Sequence, residues 1–201
     1  MVFGLFLYLI IIISAVFHEF MHGYAADYLG DPTAKSLGRL TLNPLKHMEF
    51  FGTFLLPLTL ILMGGGFLGW AKPVPYNPAN LSDKKFGSTK VAFAGPAANF
   101  LIAIVFGLAL RFIGTQNILA LAFSWVAYIN LWLGFFNLIP VPPLDGSKLM
   151  MDLFPRSNIF QSRMMFGGIF LALIIAIFVM PYIAGGIYWL IAGSNFIAIR
   201  F

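Results

Sequence analysis

Cysteine is absent from the 201 residues, which excludes disulfides, a thiol nucleophile and any thiolate metal site. Charge is scarce as well. Only 9% of residues are charged, against about 25% in an ordinary soluble domain. The chain is 60% hydrophobic with a mean hydropathy of +0.91, more apolar surface than a soluble globule of this size can hide. These shortages exclude a cytosolic domain, a disordered tail and a nucleic-acid binder. They leave an all-α polytopic membrane protein. The net charge of +5 is then read as a topology signal rather than as attraction to an acidic partner.

Residues 2 to about 29 read as one helix whose second half carries polar groups. No basic region precedes Val2–Phe17 and no cleavage-type stretch follows it, so a cleavable signal is not expected. Segments of about 91–112, 118–139, 160–180 and 182–199 read as further spans. The apolar stretch 50–69 is interrupted by Pro57 and by Gly64-Gly65-Gly66, and so either crosses or dips in and returns. Gly38-Arg39-Leu40-Thr41-Leu42-Asn43-Pro44 alternates briefly, which predicts a short strand or hairpin at the membrane surface. There is no internal repeat. The chain reads as a single membrane domain over 1–201, with a core of 1–150 and C-terminal helices over 151–201.

The acids number seven and the histidines three, so any chemistry needing ionisable groups draws on a short set. His18-Glu19-Phe20-Met21-His22 is an H-E-x-x-H pattern. On a helix, residues i and i+4 share a face, so both imidazoles reach one Zn²⁺ while the Glu between them serves as a base toward water. The alternative is a polar helix end at the interface. Burying two His and a Glu in a membrane helix is costly, however, and such groups are functional by default. A catalytic zinc takes a third protein ligand, and Glu49, His47, Asp145 and Asp152 are the candidates. Asp145 stands out because it follows an apolar span on a segment broken by Pro140, Pro142 and Pro143 and is followed by Gly146. Irregular backbone at that depth lines a protein interior or a wet cavity. The plain alternative is a helix-capping Asp.

The basic residues bear on this choice. If residues 2–29 run outside to inside and Asp145 shares the metal of His22, then span 118–139 also ends inside and 50–69 makes no single crossing. The inside then carries Lys35, Arg39, Lys46, Lys72, Lys84, Lys85, Lys90, Lys148, Arg156, Arg163 and Arg200, and the outside carries Arg111 alone. That is a strong positive-inside bias.

With these residues in view the chain resembles the site-2 protease family of intramembrane zinc metalloproteases. The resemblance is carried by His18-Glu19-x-x-His22, by Gly95-Pro96-Ala97-Ala98-Asn99, and by Asn137 through Asp145-Gly146. Three further stretches are similar to the small bacterial subfamily without a PDZ domain. They are Leu29-Gly30-Asp31-Pro32-Thr33-Ala34-Lys35, Gly38 to Pro44, and Gly69-Trp70-Ala71-Lys72-Pro73-Val74-Pro75. One departure is Met48-Glu49-Phe50-Phe51-Gly52, where an Asp followed by Pro is expected, which counts against a special role for Glu49 but leaves the metal site untouched.

The resemblance implies a three-helix catalytic core with a β-like or re-entrant element between its first two helices. It implies one Zn²⁺ per chain on His18, His22 and Asp145, with Glu19 as general base and then proton donor. Asn137 would orient the scissile carbonyl or stabilise the oxyanion. The substrate would be a transmembrane helix of another protein, cut in or near the bilayer. The location implied is a bacterial inner membrane, with the active site toward the cytoplasm.

An edge formed by Arg39, Leu40, Thr41, Leu42 and Asn43 would pair with an extended peptide, and Asn99 joins this substrate-binding set. His47, beside Lys46 and a turn, is expected at the surface or behind the ligands. The sequence specifies no oligomeric state. The alternative functions are a membrane metal-ion transporter, which needs no Glu beside its histidines, and an inactive scaffold, which would lack one of the four site residues.

Overall fold

In the computed structural model, residues 2–63, 69, 71–113, 117–154, 158–194 and 196 are described. Gly64–Gly66, Trp70, Arg156, Arg200 and the end of the 182–199 segment lie outside them. All regular elements among the described residues are helical. The chain divides into two compact units, Met1–Gly87 and Ser88–Phe201.

The first unit is organised on α1 (Val2–Tyr28). Its 27 residues at about 1.5 Å each exceed the roughly 30 Å of a bilayer core. Two stripes at i, i+4 spacing define the helix. Leu5, Leu9, Ile13 and Phe17 are exposed, whereas Ile10, Ser14, His18, His22 and Ala26 are buried. Apolar groups outward and polar groups inward is the pattern that a lipid solvent selects. After α1 come α2 (Thr33–Ser36), a 3₁₀ turn (Pro44–Lys46), a π-helical turn (Phe50–Leu55) running into α3 (Leu56–Leu62), and a second 3₁₀ turn (Pro78–Asn80). The helix over 50–62 is about 20 Å long at 1.5 Å per residue, too short to cross on its own.

The strand expected over 38–44 does not form. The backbone there is satisfied locally instead: Arg39 N–H donates to the Ala34 carbonyl, Asn43 N–H to Thr41 Oγ1 and Leu45 N–H to Asn43 Oδ1. Asn43 caps the Pro44–Lys46 turn, so the short alternation ends in a cap rather than in a ladder.

The second unit contains α4 (Gly87–Ile113, entered from the first unit), α5 (Ile118–Asn137), α6 (Gly146–Leu153), α7 (Asn158–Phe178) and α8 (Met180–Ala192). Small residues make its core. Ala103, Ala120, Ala127, Ala184 and Ala192 let helices approach closely around the buried Tyr188 ring. The Tyr188 hydroxyl is satisfied by Ser124 Oγ at 2.6 Å. Arg111 donates to the carbonyls of Ile191 and Leu190 at 2.7 and 2.6 Å, closing the C-terminus of α8.

The expectation of a separate span over 182–199 is corrected. The helix stops at Ala192, where Gly193 takes the left-handed conformation, and its 13 residues are too few to cross. With Gly167–Phe178 it forms a pair bent by 48°, broken just before Pro181, which removes a backbone donor from the first turn. By length and composition three described helices are able to cross a membrane, or four with the bent pair as one span.

Candidate active site

In the first unit the metal motif has the geometry that its spacing predicts. His18 and His22 lie one turn apart on the buried stripe of α1, with their Nε2 atoms 2.9 Å apart. Two like nitrogens about 2.0–2.1 Å from one tetrahedral centre would lie about 3.3 Å apart, so the pair fits a single small cation after a shift of a few tenths of an ångström. Glu19, half-buried, faces another partner. Its Oε2 accepts the Val74 backbone N–H at 2.7 Å. The motif therefore supplies two converging imidazoles and an oriented carboxylate.

The segment that carries Val74 is tied to the rest of the unit at both ends. Lys72 N–H donates to the His47 carbonyl at 2.8 Å. Arg39 Nη2 donates to the Lys72 carbonyl at 3.0 Å and, more weakly, to that of Pro73 at 3.4 Å. Beyond Val74, Asp31 takes over. This fully buried carboxylate accepts from Asn77 N–H at 2.6 Å, from Asn80 Nδ2 at 2.8 Å, and from the hydroxyl and N–H of Thr33. Burial alone would raise the Asp31 carboxyl, but the hydrogen bonds from Thr33, Asn80 and Asn77 outweigh it and hold the group below the usual carboxylate range.

Of the two placements expected for His47 the surface one does not hold: the ring is buried, with Nε2 donating to the Thr41 carbonyl at 2.7 Å. It lines a small apolar cavity of about 40 Å³, open to one side, together with Tyr8, Ala15, Val16 and Thr53.

In the second unit Asp145 stands at the start of α6 and makes no capping bond to that helix. The plain capping explanation therefore does not account for it. Gly146 is required by close approach: a Cβ there would overlap the Leu138 carbonyl, so the broken segment folds tightly back on the end of α5. Asp152, the other candidate in this unit, is engaged elsewhere. Its Oδ2 accepts from Thr89 N–H at 2.9 Å and Thr89 Oγ1 at 2.7 Å, near the start of α4. Asn137 ends α5, with one Nδ2 hydrogen directed to the Leu133 carbonyl at 3.0 Å.

The assignment of Asn99 to substrate binding is corrected by its burial. Asn99 is inaccessible, and its Nδ2 donates to Asn130 Oδ1 at 2.8 Å, a polar pair that joins α4 to α5. Arg39 likewise serves the 72–73 carbonyls rather than a strand edge.

Sequence reasoning gave no role to Val74 or Asp31, and it weighed Asp152 only as a metal ligand, not as a partner of Thr89. The signal for Val74 was present in Pro73-Val74-Pro75, where two prolines leave a single N–H to be placed. Asp31 lay inside a stretch that carries the resemblance and bonds locally to Thr33, but its other partners, Asn77 and Asn80, are 46 and 49 positions away and no local pattern announces them.

Comparison with known proteins gives a consistent answer. Peptidase family M50 matches over residues 6–122 and 114–177. YwhC of Bacillus subtilis, provisionally named a zinc metalloprotease, is 40% identical over 161 residues, which is 75% of this chain and 69% of YwhC. Rip2 of Mycolicibacterium smegmatis, named in the same provisional way, is 35% identical over 144 residues, covering 67% of this chain and 52% of Rip2. The zinc metalloprotease MJ0392 of Methanocaldococcus jannaschii is 28% identical over 145 residues, 72% of this chain and 33% of that protein. No solved structure matches the chain.

Proposed function

This chain belongs to peptidase family M50, the site-2 protease family, and on that premise we propose that it hydrolyses peptide bonds in or near transmembrane segments of other membrane proteins. It is an integral membrane protein and a zinc metalloprotease of the site-2 type. The proposal assigns one Zn²⁺ to His18, His22 and Asp145. The observation that carries it is the convergence of His18 and His22 Nε2 at 2.9 Å beside a Glu19 carboxylate fixed by a backbone donor. Asp145 is taken as the third ligand for its setting, on the proline-broken segment between Asn137 and Gly146 that also carries the family resemblance.

When bound, zinc supplies Lewis acidity toward the scissile carbonyl and the attacking water. Glu19 takes the proton from that water and passes it to the leaving amine. Asn137 Nδ2 keeps a second hydrogen, which serves to orient the scissile carbonyl or to steady the oxyanion. The substrate helix must unwind locally first, because its peptide groups are already hydrogen-bonded and shielded.

The test is metal removal. Purified protein is expected to cut a membrane-embedded helical substrate that carries helix-destabilising residues, to stop when a chelator strips it, and to recover with about one equivalent of Zn²⁺. Undiminished cleavage by the metal-free protein overturns the reading.

The site is assigned to the cytoplasmic face of a bacterial inner membrane, supported by the distribution of basic residues. Arg111, the one exception in that distribution, has a local task on the α8 carbonyls. Single cysteines at Lys84 and Lys148, read in a chain with no native cysteine, are expected to react with an impermeant maleimide from the same face. Labelling from opposite faces contradicts the arrangement.

A further inference from the structure

The metal motif explains why Glu19 is present but not what holds it. A glutamate has three side-chain torsions, and a base that wanders among rotamers is misplaced for much of the time. Here one oxygen is fixed by the Val74 N–H at 2.7 Å. Val74 is itself well placed to hold it. Prolines on both sides leave it the lone donor of Pro73-Val74-Pro75, and a residue preceding proline is steered to extended backbone, which applies to Lys72 and Val74 alike. The Val74 side chain is buried and approaches α1 at Gly23, where a Cβ would meet Val74 Cγ1 at 3.0 Å. Gly23 directly follows His22, so the segment passes close to the end of the metal motif.

The anchors flank this contact. Before Val74, Arg39 holds the Lys72 and Pro73 carbonyls and the His47 carbonyl holds Lys72 N–H. After it, Asp31 holds Asn77 N–H and the Asn80 side chain. A short strap fixed at both ends has little freedom to move its central N–H.

Building on the base assignment of Glu19 made above, we propose that residues 71–77 form a positioning strap, in which the Val74 N–H sets the Glu19 carboxylate and Arg39 and Asp31 clamp the two ends. Oε2 is thereby occupied and Oε1 is left for the proton transfer. Arg39, first read as part of a substrate edge, becomes a positioning residue instead.

The two roles for Arg39 separate kinetically. A substrate contact that is lost raises KM, whereas a misplaced base lowers kcat with KM unchanged. Val74→Pro removes the donor, and Val74→Ala removes the side chain while keeping the donor. Arg39→Ala loosens one clamp from outside the metal motif. Zinc content and thermal midpoint are read on every variant, with Glu19→Gln measured alongside.

Val74→Pro is expected to lower kcat by about 10–100-fold relative to Val74→Ala, with KM and zinc within about twofold, the scale of an ångström-sized misplacement. Arg39→Ala is expected to lower kcat by about tenfold at constant KM. Equal kcat in Val74→Pro and Val74→Ala overturns the strap. A raised KM at parent kcat in Arg39→Ala does so too, and it decides the matter where Val74→Pro fails to fold. Parent-like cleavage by Glu19→Gln sinks the base assignment itself. An inactive Glu19→Gln beside a parent-like Val74→Pro sinks only the strap.

Discussion

Glu19→Gln is expected to keep its zinc while cleavage of a transmembrane substrate falls by about 10²–10⁴, the usual loss when a general base is removed. The substitution nearly preserves size, and the amide oxygen still accepts the Val74 N–H that the carboxylate accepts now. His18 and His22 are unaltered, so the metal ligands on α1 remain. Only the ability to take a proton at neutral pH is lost. Metal analysis and a cleavage assay on the same preparation check both halves. A metal carrier would give the opposite pattern, with little change in function, because no proton has to leave a water. Loss of zinc together with activity would instead make Glu19 a ligand.

Asp145→Ala is expected to lose most of the bound zinc while the protein stays folded in detergent. Two imidazoles alone bind zinc far more weakly than three protein ligands, and the carboxylate makes no capping bond whose loss would unravel α6. The local fold rests on its neighbour instead, since Gly146 packs its backbone against the Leu138 carbonyl with no room for a Cβ. Full zinc stoichiometry in Asp145→Ala would move the third ligand elsewhere, to Glu49 or to the Asp152 oxygen that Thr89 does not occupy.

The sequence by itself determined the membrane class, the long helices and the metal motif. Each depends on a signal carried within a few turns of chain. Twenty or more apolar residues span a bilayer wherever they occur, and His18 and His22 share a helix face through the 3.6-residue period alone. Pro181 and the 182–199 segment show the limit of such signals. Hydropathy suggested a span, but the helix begins at a bend and closes at Gly193 after 13 residues, with Arg111 from another helix on its last carbonyls.

The tertiary structure decided the roles of polar groups whose partners lie far along the chain. Arg39 was legible as an exposed cation on an alternating segment, yet it serves carbonyls 33 and 34 residues away. Asn99 had the look of a site residue, but its amide joins two helices through Asn130. Asp31 and Val74 lay within stretches that carried the resemblance, but nothing in those stretches indicated their distant partners. Their function is a hydrogen bond to a group 46 to 55 positions distant, and a backbone N–H has no identity in the sequence. Side-chain type records what a residue is able to bind, whereas a buried donor or acceptor must be satisfied by whatever the fold brings to it. That selection is made by packing, and it is why the catalytic motif was readable from the sequence while the apparatus around it was not.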